Sequence, residues 1–224
     1  ARVWVDGRLV GTHTAGYGEF DIELTGLVEP GKEAVLTVGV TKVPYMTTFG
    51  YLGITAPVKL LILPDTHLTR FVTDTRLDDT YQHGTLVIDS SVYLAGKAPV
   101  YVDLSVKDPA GFEVELPASA ITYNDSSDVR VELSIPNVKA WTAETPNLYT
   151  VTARLLVDGK AVEEYTAKVG FREVAIDGTE LKINGSPVKL RGVNWININP
   201  TGGYSFDYES DKESLLLLKQ ANVN

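Results

Sequence analysis

The sequence predicts a mainly β protein with an immunoglobulin-like sandwich at its centre and a single β/α unit at its end. Three observations carry this. Short runs of alternating apolar and polar residues fill most of the chain. Seven such runs fall between Asp65 and about Gly170 at roughly even spacing, with turn residues between them. After Phe171 the pattern changes to a hairpin, one further strand and then the one stretch with helical periodicity.

The elements follow in order. "RVWVDGRLVG" reads as two strands joined by Asp6-Gly7, a pair suited to a two-residue hairpin because its glycine accepts positive φ. "GEFDIELTGLV" (18–28) and "EAVLTVGV" (33–40) are the next expected strands, with Glu29-Pro30-Gly31 between them. "PVKLLILPD" closes the block, and Pro64-Asp65 is the first expected boundary. The central seven strands are expected in "LTRFVTDTRL", "GTLVIDSSVYL", "PVYVDLSVKD", "FEVEL", "VRVELSI", "LYTVTARLLV" and "AVEEYTAKVG". Gly96, Pro109 to Gly111, Asn124 to Asp128 and Asp158-Gly159 punctuate them. No Cys–Trp–Cys core is possible, because the chain has no cysteine. "VAIDGTELKINGSPVKLRGVN" then predicts a hairpin and a strand. Asp6-Gly7, Asp158-Gly159 and Asp177-Gly178 are read as one turn chemistry used three times. Ser210 with Glu213 predicts a capping box opening a helix whose apolar face holds Leu215, Leu218 and Ala221, widened by Leu216 and Leu217. One β/α unit cannot bury its own apolar faces, so further units are expected to follow. The chain opens directly in strand pattern at Ala1, which suggests that residues precede it.

Composition narrows the chemistry. The formal net charge is −9, and the Lys and Arg residues are scattered, so neither nucleic acid nor an anionic membrane is an expected partner. The absence of cysteine excludes disulfides, thiolate metal sites and Cys nucleophiles, and leaves the compartment open. His13, His67 and His83 have no metal-ligand spacing, so no metal site is expected. Ser119, Ser126 and Ser127 lack a nucleophile-elbow context, and "PTGG" is no phosphate loop. Asp78-Asp79 and Glu163-Glu164 read as surface carboxylates, and Glu144 as part of a strand entry. The stretch "KLRGVNWININPTGG" is different. It reads as a buried strand running into a polar loop, where an aromatic face and amides suit a sugar. Asn194, Trp195 and Asn197 are therefore the candidate substrate-binding residues. The bland alternative is a Trp packed under a rim and Asn residues capping turns.

Three stretches together resemble glycoside hydrolase family 2, the β-galactosidase, β-glucuronidase and β-mannosidase group. "VWVDGRLVGTHTAGYGEFDIELTGLVEPGKEAVLTVGV" looks like the late part of that family's jelly-roll sugar-binding domain. "WTAETPNLYTVTARLL" with "VGFREVAID" resembles the last strands of its immunoglobulin-like domain. "LKINGSPVKLRGVNWININPTGG" with "LLLLKQANVN" is similar to the entry into its (β/α)8 barrel. The resemblance implies three domains: part of a jelly roll (1–64), a complete immunoglobulin-like sandwich (65–170) and the start of a TIM barrel (171–224). It implies a retaining, exo-acting enzyme that uses two glutamates and removes terminal β-linked sugars from glycans. Both glutamates would lie on later barrel strands, so no catalytic residue is assigned to this chain, which is expected to be inactive alone. No cofactor is implied, and a homo-oligomeric parent is compatible with the family. The chain departs from the β-galactosidase pattern after "GVN", where Trp195-Ile196-Asn197-Ile198 replaces Arg-His-Glu-His. A reading from another class is a non-catalytic carbohydrate-binding or adhesion sandwich.

Overall fold

A computed structural model describes residues 1–14, 18–41, 53–54, 56–123, 127–196, 198–203 and 207–224. They gather into two compact units. The first is Ala1–Lys59 with Trp195–Leu216, and the second is Leu60–Asn194 with Leu217–Asn224.

In the first unit, β1 (Arg2–Val5), β2 (Arg8–Thr12) and β3 (Leu36–Gly39) form an antiparallel sheet with β1 in the middle. Asp6 and Gly7 both take positive φ (48° and 79°), as a two-residue hairpin whose twist matches its strands requires. The Asp6 carboxylate also accepts the Val35 N–H at 2.8 Å, tying the turn to the strand beyond. Val3 and Val5 are buried on one face. One expected strand is corrected here, and one apolar run of strand length stays unpaired. Residues 18–28 form no strand: Thr25–Leu27 make a turn, with the Glu23 carboxylate accepting the Thr25 N–H. The "VKLLIL" run is also unpaired, and Ile62 is 88% exposed. An apolar run becomes a strand only when a neighbour supplies the ladder, and no strand among the described residues pairs with it.

The second unit is built on two antiparallel sheets. One contains β4 (His67–Leu77), β5 (Gly84–Tyr93) and β8 (Asp128–Ile135) in the order β4-β5-β8. The other contains β6 (Val100–Lys107), β7 (Ala120–Thr122), β9 (Tyr149–Val157) and β10 (Lys160–Val169) in the order β10-β9-β6-β7. Alternation along these strands sends Leu86 and Ile88, Leu133 and Ile135, Val102, Leu104 and Val106, and Val151, Ala153 and Leu155 into one shared core. The seven strands match the sequence expectation with one exception. "FEVEL" (112–116) makes only an isolated bridge, Glu113 to Lys107, and the strand lies further on at Ala120–Thr122. Val114 and Leu116 still pack against the core, so their apolar character reports burial rather than pairing.

Phe171 plugs one end of this core. It is fully buried, meets the Tyr149 ring edge-on at 5.0 Å, and lies where a Cβ on Gly84 would sit 2.4 Å from its ring. The Tyr149 hydroxyl accepts the Lys139 N–H at 2.9 Å. Inside, Ser90 and Tyr123 share a hydrogen bond of 2.5 Å, which satisfies both hydroxyls. The sheet edges are joined across β4 and β10. The Leu68 N–H donates to the Glu163 carboxylate, the Thr75 hydroxyl donates to the Gly170 carbonyl, and Phe71 meets Tyr165 at 5.4 Å.

Beyond the sandwich, β11 (Val174–Asp177), β12 (Glu180–Ile183) and β13 (Ser186–Pro187) make a small antiparallel sheet. Its first turn is Gly178-Thr179, with Asp177 ending β11, so Asp-Gly is the turn pair at two of the three expected places only. Gly178 leads the turn with φ 61°, a position that glycine fills without strain. Asn184-Gly185 forms the second turn. The strand expected over "KLRGVN" is absent, and Lys189–Trp195 is exposed chain. A parallel barrel strand takes hydrogen bonds from strands on both sides, and no such pair exists among the described residues. No barrel unit is therefore evident.

The expected helix is present as α1 (Tyr208–Gln220), but its cap is not Ser210. The Asp207 carboxylate accepts the Ser210 N–H and the Asp207 carbonyl accepts the Asp211 N–H, so the helix opens one turn earlier. Asp before an N-terminal turn satisfies a free N–H and meets the positive end of the helix dipole, which Glu209 and Asp211 also face. Asn222 (φ 61°) ends it in a Schellman arrangement. Its N–H reaches the Lys219 carbonyl, and the Val223 N–H reaches that of Leu218. No residue of the helix is buried.

Candidate functional site

Asn194 and Trp195 lie on the exposed chain that follows β13. Trp195 is 46% exposed, so part of its ring is open to a ligand. Asn197 lies outside the described residues. The following loop is organised by a residue that sequence reasoning passed over. The Asn199 side-chain oxygen accepts the Thr201 N–H (2.9 Å), the Thr201 hydroxyl (2.8 Å) and the Gly202 N–H (2.9 Å). Its backbone pairs both ways with Gly203, and its amide nitrogen lies 3.4 Å from the Asp207 carboxylate that caps α1. The signal was in the sequence: Asn followed by Pro-Thr-Gly-Gly is an Asx turn in waiting.

The second unit has a cleft of about 470 Å³ lined by Thr73, Asp74, Trp141, Lys168, Arg172 and Val174, among others. The Arg172 guanidinium stands 4.8 Å over the Trp141 ring, so that ring face is already covered by a cation. No local pattern in the chain singles out this cleft, because its lining comes from five separate elements and loops.

Asp78, Glu163 and Glu164 of the two carboxylate pairs hold local structure. Asp78 accepts the Gln82 and His83 N–H groups and the Thr80 hydroxyl. The Thr80 hydroxyl, then the His83 N–H, hold its carboxyl below the ordinary aspartate range. Glu163 holds Leu68, and Glu164 pairs with Arg154 at 3.3 Å. Asp128 is lowered chiefly by the Ser91 hydroxyl. Burial raises the Tyr123 and Tyr149 hydroxyls. His67 Nδ1 lies 2.9 Å from the Pro64 carbonyl, His83 belongs to the Asp78 turn, and His13 stacks on Phe20 at 4.3 Å. Among the described residues, no three His, Asp or Glu side chains gather where they could hold a metal ion. No helix among them is long and apolar enough to cross a membrane.

Comparisons with known proteins complete the site's context. Residues 66–172 match the family model of glycosyl hydrolases family 2. The whole chain superposes on a β-glucuronidase from Bacteroides uniformis with a TM-score of 0.86 at 22% identity, covering 29% of that chain. It superposes equally completely on an FMN-binding β-glucuronidase from Facaelibacterium prausnitzii L2-6 (TM-score 0.84, 25% identity, 36% of that chain). A third match is a glycosyl hydrolase family 2 member from Bacteroides cellulosilyticus (TM-score 0.80, 22% identity, 32% of that chain). The chain thus spans about a third of the length of these solved structures. The family resemblance read from the sequence is borne out.

Proposed function

We propose that this chain, a family 2 glycosyl hydrolase segment by the match over its central sandwich, is the part of a retaining, exo-acting β-glycosidase that leads into the catalytic barrel. The observation that carries this is complete coverage of the chain by structures of which it spans only 29–36%. The segment itself is inactive. The catalytic glutamates of the parent lie outside it, and the parent removes terminal β-linked sugars, with β-glucuronides the first substrates to try. The domains are the end of a jelly roll (1–64), an immunoglobulin-like sandwich (65–170) and the opening of a TIM barrel (171–224). The strand orders β4-β5-β8 and β10-β9-β6-β7 support the second of these.

A barrel opening is supported by where α1 returns. The Asn224 N–H donates to the Arg191 carbonyl at 3.2 Å, its side-chain oxygen accepts the Arg191 N–H at 2.8 Å, and its amide nitrogen donates to the Lys189 carbonyl at 3.2 Å. The chain after the helix therefore meets the chain before it at one residue, through one backbone and two side-chain hydrogen bonds, a proximity compatible with neighbouring positions at the start of a barrel. In the assembled site, Trp195 stacks on a sugar ring while Asn194 and Asn197 bond its hydroxyls.

The test is the parent protein. Its product on chromogenic β-glycosides, followed by NMR, is expected to keep the β configuration. Inversion of configuration overturns the retaining mechanism, and a full-length protein that binds sugars and never turns them over overturns the enzymatic reading and favours a binding module.

A further inference from the structure

We propose that the Asn184-Gly185 turn is a latch that locks the β11–β12–β13 hairpin onto the sandwich. It thereby fixes the direction in which residues 188–194 leave it. This stands independently of the glycosidase reading, because it concerns only how one segment is held.

Three parts of the sandwich unit grip this turn. The first is Glu173, at the entry to β11: its N–H donates to the Asn184 side-chain oxygen at 2.9 Å, and its carbonyl accepts the Asn184 N–H at 3.0 Å. The second is Trp141, whose carbonyl accepts the Asn184 amide nitrogen at 3.0 Å. The Trp141 N–H in turn donates to the carbonyl of the core residue Phe171 at 2.8 Å. The third is the β4–β5 loop. Tyr81 lays its ring against Gly185, where a Cβ would stand 2.8 Å from the hydroxyl, and that hydroxyl donates to the Glu173 carboxylate at 3.0 Å.

The residue types fit this role. Position 184 must take positive φ (48°), accept one hydrogen bond and donate another. Asparagine meets all three demands. Aspartate cannot donate, and glycine tolerates the backbone but has neither group. Gly185 (φ 73°) must lack a Cβ both for its conformation and for Tyr81. The loop that presents Tyr81 is itself tied down: Asp78 accepts two backbone N–H groups, and the Gln82 carbonyl accepts the Val138 N–H.

The chain's lack of cysteine gives a clean test. Spin labels on cysteines at the exposed positions Lys97 and Lys189 (K97C, K189C) report the distance from sandwich to exit segment. In the otherwise unchanged full chain one narrow distance is expected. N184D and N184G are each expected to broaden it. Hydrogen exchange at β12 and Val188 is expected to rise about tenfold or more while β5, β6 and β9 stay unchanged. Y81F, which keeps the ring, gives a smaller rise. Unchanged distance and exchange in N184D and N184G overturn the latch. A uniform rise across β5, β6 and β9 overturns it too, since Asn184 would then belong to the global core.

Discussion

At the residue scale, Phe171 and Trp195 define opposite regimes. Phe171 is sealed among Tyr149, Gly84 and Val138, so Phe171→Ala is expected to cost about 3–5 kcal/mol in urea unfolding of the sandwich. Trp195→Ala removes a half-exposed ring, so little change in stability is expected. In the proposed parent enzyme a raised KM for β-glycosides is expected. Equal destabilisation by the two substitutions contradicts this contrast. Asp78 supplies the pH dependence. Its folded carboxyl is held below the ordinary aspartate range, so its contribution to stability is full above that range and is lost as pH falls through the folded value. Asp78→Asn should flatten the acid limb of a stability–pH profile, below about pH 4. An unchanged acid limb shows that the turn gains nothing from the charge.

Elements differ in how far local sequence settles them. Six of the seven central strands lie where alternation places them, because each has neighbours in the chain that supply its ladder. The failures share one cause. "VKLLIL", "GEFDIEL" and "KLRGVN" carry strand-like apolar patterns, and no strand among the described residues completes them. "FEVEL" fails differently: its apolar residues serve the core without pairing. The helix was legible by periodicity. Its cap was displaced because Asp207 and Ser210 are both good caps, and the helix took the earlier one. Of the candidate site, the polar loop after "KLRGVN" was legible from its composition, whereas the Asn199 turn rests on three hydrogen bonds that residue type alone does not fix. With 13 residues and none buried, α1 should be marginal in the isolated chain. Limited proteolysis is expected to cut first at residues 57–64 and 198–203 and to leave 66–172 intact. Cuts that fall first within β5, β6 or β9 contradict this ranking of stability.

For the whole molecule, one closed core is accompanied by apolar surface. Leu60, Leu61, Ile62, Leu63, Leu190, Val193 and Leu217 are all exposed. Exposed apolar chain and bare strand edges recruit other chains, so the isolated polypeptide is expected to self-associate in sedimentation velocity as concentration rises. A strictly monomeric chain at high concentration removes that expectation. The function proposed for the parent rests on division of labour: this segment supplies a rigid sandwich and one wall of a sugar site, and the rest supplies the carboxylates. Assay of the purified chain against a panel of chromogenic β-glycosides, β-glucuronide included, tests this most directly. The account predicts no turnover above buffer. Turnover that survives purification and is abolished by a substitution within residues 1–224 would contradict it.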